Sequence, residues 1–244
     1  MKVISVVNTK GGSGKTTVAT NLAAIAASEG HKVLLIDADG RQASSVAFRE
    51  FREVTNDKIR EKNKDKDEKN QQPLLADFTV QSLPSDLIFK QVKSYENAFD
   101  LIIIDAGAGD SNIVRSAIAA AYYGILIIPC PPSPYDVLGA SDTLDLLTEC
   151  RTTLDIDAVL FMNMVFANNK INLLKDVIET VQELSEEYKI EQLSTSLVNY
   201  LAYKNGAREG KSVVEYDKNG KAAAQMIEFY NEIMARLGMK LKED

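Results

Sequence analysis

An apolar stretch, Val3-Ile4-Ser5-Val6-Val7, runs into Lys10-Gly11-Gly12-Ser13-Gly14-Lys15-Thr16-Thr17, and this junction constrains the fold more than any other feature of the chain. A strand, a glycine-rich turn and a helix in that order wrap backbone N–H groups and a helix N-terminus around an anion. The general phosphate-loop pattern is G-x-x-x-x-G-K-S/T. Gly14, Lys15 and Thr16 fit it, whereas its first glycine falls on Thr9, so the loop is a variant with a further lysine, Lys10. The Ala-rich run Val18 to Ser28 supplies the helix. Gly11, Gly12 and Gly14, with Ser13 between them, let the backbone close on phosphate oxygens. Lys15 is expected to neutralise the β- and γ-phosphates, the Thr16 hydroxyl to bind Mg²⁺, and Thr17 to donate to the α-phosphate.

Two further apolar strands end in carboxylates. His31-Lys32-Val33-Leu34-Leu35-Ile36-Asp37-Ala38-Asp39 closes on a D-x-D pair, and Phe99 to Asp105 is followed by Ala106-Gly107-Ala108-Gly109-Asp110. Carboxylates at the C-terminal ends of parallel strands lie beside the ligand in an open α/β sheet. Asp105 is expected to hold Mg²⁺ through water, with Asp37 near the metal. Strand-end carboxylates also occur where nothing binds, so the reading rests on their combination with the loop.

Composition agrees with one α/β domain spanning 1–244: a mostly parallel twisted sheet with helices on both faces, in the phosphate-loop NTPase architecture. Leu101 to Ile104 and Ile125 to Ile128 are apolar runs rather than alternations, as a sheet covered on both sides requires. No stretch has membrane-spanning length and the N-terminus enters a strand directly, so a cytoplasmic protein is expected. Cys130 and Cys150 form no metal-ligating pattern and read as inert. His31, the sole histidine, reads as a surface residue and offers no nucleophilic triad. A net charge of −7 excludes a globally basic nucleic-acid binder, leaving only local basic patches.

The spacing K-G-G-x-G-K-T-T resembles the deviant phosphate-loop ATPases of the ParA/MinD family. The likeness is greatest to small plasmid-type partition proteins that lack an N-terminal DNA-recognition domain, and it covers nearly the whole chain outside residues 52–72. It implies ATP and Mg²⁺ as ligands, and Asp39 as the residue that orients the hydrolytic water. It also implies an ATP-dependent homodimer in which Lys10 of each subunit reaches the other's phosphates, as an arginine finger does elsewhere. Turnover would be slow and stimulated by a small ParB-like partner with an arginine-bearing arm. The first switch departs from the family's D-x-D-P-Q, reading Asp39-Gly40-Arg41-Gln42.

Beyond the motifs, residues 52–72 contain seven basic and six acidic side chains and read as a solvated helix end or flexible excursion. Helices are expected at Pro84 to Asn97, Ser111 to Tyr123, Ile171 to Tyr188 and Ala222 to Leu237. Asp110, Ser111 and Arg115 are candidates for a dimer or partner surface.

The strand Ile125 to Ile128 ends in Pro129-Cys130-Pro131-Pro132-Ser133-Pro134-Tyr135-Asp136, similar to the P-x-x-P-S-x-x-D segment of plasmid ParA proteins. Its rigid backbone either presents carbonyls to adenine, with Pro131 the candidate, or simply terminates the strand. Asn163, in a strand from Ala158 to Met164, resembles the family's adenine-contacting Asn, although Met164 replaces the Arg that often follows.

Tyr200 to Tyr216 is similar to the late G-x-S-V-x-E segment of those proteins. Lys204, Arg208, Lys211, Lys218 and Lys221 read either as a patch for non-specific double-stranded DNA, giving nucleoid association in the ATP state, or as ordinary surface. A MinD-like regulator acting on a membrane or protein cargo is the alternative. The tail Met239 to Asp244 ends in Glu-Asp and lacks a Phe/Trp-rich basic face, which argues against lipid binding, so no membrane is expected. Among metabolic relatives, an iron protein would need a second cluster cysteine, and a ligase would need further basic residues near the loop.

Overall fold

The central strands are runs of apolar residues, broken by Ser5 and closed in two cases by Asp, because each of their faces meets a helical layer. The computed structural model describes residues 1–40, 42–166 and 171–239, the side chains of 171–176 excepted. Along the chain run β1 (Lys2–Val6), α1 (Lys15–Ser28), β2 (Val33–Asp37), α2 (Ser44–Asn63), β3 (Thr79–Ser82), α3 (Ile88–Val92), β4 (Leu101–Asp105) and α4 (Asn112–Ala120). There follow β5 (Gly124–Cys130), α5 (Pro134–Arg151), β6 (Ala158–Met162), α6 (Ile171–Glu187), β7 (Glu191–Gln192), α7 (Leu201–Arg208), α8 (Val213–Tyr216) and α9 (Lys221–Arg236). The strands form one seven-stranded sheet of order β3-β2-β4-β1-β5-β6-β7. Every pairing in it is parallel, as the apolar runs require.

Successive side chains alternate between two cores. Val3, Ile36, Ile104, Ile128 and Leu160 pack with α3, α4, α5 and α6. Ile4, Val6, Leu35, Ile103, Ile127 and Phe161 pack with α1, α9 and Phe48 of α2. Full burial of each such side chain contributes about 1.5–3 kcal/mol. Cys130 belongs to the first core, where burial pushes its thiol up to about 12. His31 is partly exposed in the turn after α1.

Three elements differ from expectation. The helix expected from Pro84 begins at Ile88, because Ser85 accepts the Leu87 N–H through its hydroxyl and delays the first turn. The strand bearing Asn163 stops at Met162, and Met164 leaves it with φ 57°. The stretch 52–72 opens as the end of a helix, α2 continuing to Asn63 with most of its charges exposed, but Arg52, Asn56 and Ile59 are buried along it, which the reading of a solvated stretch did not include. Charge density misled because Arg52 is neutralised by a distant residue rather than by solvent. Arg41 and the tail 240–244 lie outside the described residues.

Candidate nucleotide-binding site

Parallel register sets the floor of the site. Val6 of β1 lies opposite Asp105 of β4, and Asp105 lies opposite Asp37 of β2, so two carboxylates stand side by side at the C-terminal edge. The loop leaving β1 is braced from α5: the Thr9 N–H donates to Thr143 Oγ1 at 2.9 Å, and Thr9 Oγ1 donates to the Gly139 carbonyl at 3.0 Å. Asn8 fixes the start of the loop by donating to the Pro129 carbonyl at 2.8 Å and accepting the Lys10 N–H at 2.8 Å. Gly14 ends the loop at φ 89°, and a Cβ there would sit 2.4 Å from Asn163 Nδ2. Only glycine meets both demands.

Gly11, Gly12, Gly14, Lys15, Thr16 and Thr17 line a cleft of about 540 Å³ with Asp39, Gln42 and Ser44. Ser13 stands behind it, buried, its carbonyl taken by Asn163 Nδ2 at 2.7 Å. Lys15 is buried, its Nζ donating to the Lys10 carbonyl at 2.9 Å. Burial lowers the Lys15 pKa from its ordinary value, and Asp105 and Asp39 oppose that shift.

The carboxylates differ in their hydrogen bonding. Asp37 Oδ2 accepts the N–H groups of Ser45 at 2.9 Å and Val46 at 3.3 Å, and Oδ1 accepts the Asp39 N–H at 3.2 Å. Burial still raises its pKa. Asp105 accepts the Ser45 hydroxyl at Oδ2, 2.8 Å away, while its buried Oδ1 has no partner. Burial pushes Asp105 up to about 7 against the Ser45 and Thr16 hydroxyls that favour its ionised form. An unsatisfied buried carboxylate oxygen behind Thr16 fits a hard divalent cation reached through water. Among the described residues no cluster of three His, Cys, Asp or Glu could hold a metal, so such an ion would take most of its ligands from phosphate, hydroxyl and water. Asp39 lines the cleft and accepts the Gln42 N–H at 3.4 Å.

Beside the phosphate cleft, and sharing Gly14, Thr17 and Met164 with it, lies a cavity of about 150 Å³ lined by Val18, Asn163, Leu197 and Tyr203. Apolar cavities of about this size accept a benzene ring. Asn163 lines this cavity. Pro131 does not: it is buried, its carbonyl accepts the Ser133 N–H at 2.9 Å, and it lines neither cavity. Ser133 caps α5 and Pro134 starts it, which turns the Pro131 carbonyl into the helix entry.

Lys10 points the other way from Lys15. Its Nζ pairs with Asp136 Oδ1 at 2.7 Å, 5.9 Å from the Tyr135 ring centroid, at the edge of a separate cavity. Asp110 and Arg115 line that cavity too, Arg115 pairing with Asp110 and with Glu149, while Ser111 caps α4. Of the basic patch, Lys204, Arg208, Lys218 and Lys221 are exposed, and Lys204 also lines the 150 Å³ cavity. Lys211 is paired with Glu209 at 2.6 Å. Sequence reasoning missed Asp136, though Ser133 three residues before an acidic first-turn residue is a helix-start signal. It also missed Ser45, whose contact with Asp105 depends on how α2 packs against the sheet edge.

Comparison with known proteins agrees with this geometry. A family model described as the CobQ/CobB/MinD/ParA nucleotide binding domain matches residues 4–229. The "Maintenance of carboxysome distribution protein A" of Halothiobacillus neapolitanus is 27% identical over 236 residues, covering 95% of this chain and 95% of that one. The "Chromosome-partitioning ATPase Soj" of Thermus thermophilus is 26% identical over 243 residues, covering 96% of each. The solved ATP complex of a Cyanothece McdA variant superposes with a TM-score of 0.73 at 20% identity, covering 100% of this chain and 99% of that one. With its phosphate loop and paired strand-end carboxylates, the chain belongs to the CobQ/CobB/MinD/ParA nucleotide-binding domain family, among relatives that include ParA/Soj partition proteins and MinD.

Proposed function

We propose that the chain is a Mg²⁺-dependent ATP hydrolase that works as a dimerising switch to position DNA or another cargo. The observation that carries this reading is the opposed direction of two lysines on one loop. Lys15 is turned into the phosphate cradle, whereas Lys10 leaves it for Asp136 and the surface. A lysine that does not serve its own cradle suits one that neutralises phosphates in a second copy. ATP then binds the pair more tightly than the single chain, and that difference drives the switch.

Thr16, Asp37 and Asp105 would hold Mg²⁺, which supplies charge neutralisation at the phosphates when bound. Asp39 at the cleft edge would orient water, and Asn163 would meet the base. In the ATP dimer the exposed Arg208, Lys218 and Lys221 would be doubled and grip non-specific double-stranded DNA through its phosphates. A small ParB-like partner would stimulate hydrolysis.

The test is retention on non-specific double-stranded DNA with ATP, with ADP and without nucleotide, at one moderate salt concentration. Retention only with ATP is expected. Equal retention in all three states rejects the switch, and none in any state moves the cargo to a protein or membrane surface.

A further inference from the structure

Among the described residues Arg52 is the largest side chain that is fully buried, and it lies in a stretch whose other charges mostly face solvent. All five of its N–H donors are used. Nε and Nη2 donate to the Ala76 carbonyl at 2.8 and 2.7 Å, and Nη1 donates to the Gly210 carbonyl at 2.8 Å. Nη1 and Nη2 also form a two-pronged pair with Glu215 at 2.8 and 2.6 Å. The guanidinium lies 5.3 Å from the Phe78 ring centroid. Gly210, at φ 61°, presses so closely that a Cβ there would meet the Arg52 backbone nitrogen at 2.1 Å.

What this anchors is one wall of the nucleotide site. The buried residues of α2 are Ser45, Phe48, Arg52, Asn56 and Ile59, spaced so that they share one face. At one end of that face Ser45 holds Asp105, and the Ser45 and Val46 N–H groups hold Asp37. Two turns along, Arg52 holds Glu215. The Glu215 corner is itself fixed to the phosphate-loop helix: the Val213 N–H donates to Asn21 Oδ1 at 2.8 Å, and Asn21 Nδ2 donates to the Thr17 carbonyl at 2.7 Å. Thr17 lines the phosphate cleft. The circuit therefore closes, running from α1 through Asn21, α8, Glu215, Arg52 and α2 back to the two carboxylates beside α1.

A buried ion pair adds little net stability over apolar packing of the same volume, and what distinguishes it is fixed, directional geometry. We infer that Arg52 is a positioning residue for the cation: by clamping α2 to the corner that α1 also holds, it sets Ser45 against Asp105 and so the spacing between Asp105 and Thr16. The inference rests on the nucleotide-site reading above and adds to it a residue that touches neither metal nor nucleotide.

The experiment is a titration of a fluorescent ATP analogue onto the full chain, in EDTA and at increasing Mg²⁺, for wild type, Arg52→Lys and Glu215→Gln. Lysine keeps the charge but cannot reproduce the five-donor fork. Affinity in EDTA should be unchanged, while the Mg²⁺ concentration for half-maximal enhancement should rise about tenfold, the lower end of what is lost when groups orienting a metal ligand are removed. Variants that fold yet need the same Mg²⁺ as wild type overturn the inference.

Hydrogen exchange on the wild type supplies a readout that no variant's folding affects. Adding Mg²⁺ to the ATP-bound protein should slow exchange at 45–52 and at 210–216 together, and slowing confined to 45–52 overturns the inference. Wild type that binds the analogue without any Mg²⁺ enhancement, or not at all, rejects the site reading and this inference with it. A normal wild-type response with unaltered variants rejects the inference alone.

Discussion

The Lys15 ammonium donates to the backbone carbonyl of Lys10, 2.9 Å away, so the two lysines of the loop are joined through main chain while their charges diverge. Removing either side chain therefore tests a different process.

Lys15→Ala should weaken nucleotide binding about ten- to hundredfold, the loss expected for a charged hydrogen bond. Lys10→Ala should leave binding to the monomer within about twofold but abolish the ATP-dependent dimer, and hydrolysis with it. Fluorescence titration and sedimentation velocity separate the two. A normal ATP-dependent dimer in Lys10→Ala would remove its role in trans.

Asp39→Ala should bind ATP and dimerise yet hydrolyse about a hundredfold more slowly or worse, because the attacking water loses its acceptor. Phosphate release beside size-exclusion chromatography reads both properties. Turnover at the wild-type rate would reject Asp39 as the water-orienting residue.

Gly14→Ala should cost about 1–2 kcal/mol from the left-handed backbone alone. The new methyl also displaces Asn163 from the Ser13 carbonyl, so nucleotide affinity should fall further than in Asn163→Ala. Denaturant unfolding and nucleotide titration of both variants check this. Equal affinity in the two would show that the Asn163 contact does not shape the cradle.

Glu232 offers a pH test away from the site. Burial pushes its pKa up, but the Thr195 and Ser194 donors outweigh burial and hold it below 4.5. Its ionised form is thus favoured by folding: the contribution is complete above the unfolded value and is lost as pH falls through the folded one. The melting temperature of Glu232→Gln should lie below wild type at about pH 7 and converge with it toward about pH 3. A gap that stays constant over that range would exclude the carboxylate's charge as the cause.

The position of Asp37 and Asp105 at strand ends beside the phosphate loop was legible in the sequence because each closes an apolar run, and the parallel sheet followed from the same runs. Their direct opposition was not legible, since register is a property of pairing that single strands do not state. Arg52 was misread for a related reason: Glu215 and Gly210, which make its burial possible, lie far along the chain. Of the two readings of Pro131, adenine contact through a rigid backbone or simple termination of the strand, the position fits the second, because Ser133 and Pro134 start a helix there. The short edge strands β3 and β7 carry too few residues to show a period.

The sheet order also decides when the loop can become functional during synthesis. β1 is the first strand made, yet its two neighbours are β4 and β5, whose last residues are Asp105 and Cys130. Until Asp105 has been made, the strand that carries the phosphate loop has neither neighbour, and until Cys130 has been made one of its edges stays open, the kind of edge that invites aggregation. Although Lys15 and Thr16 are translated early, a nascent chain stalled before Cys130 can have no complete cradle, and a ligand could not rescue such a chain by binding to it.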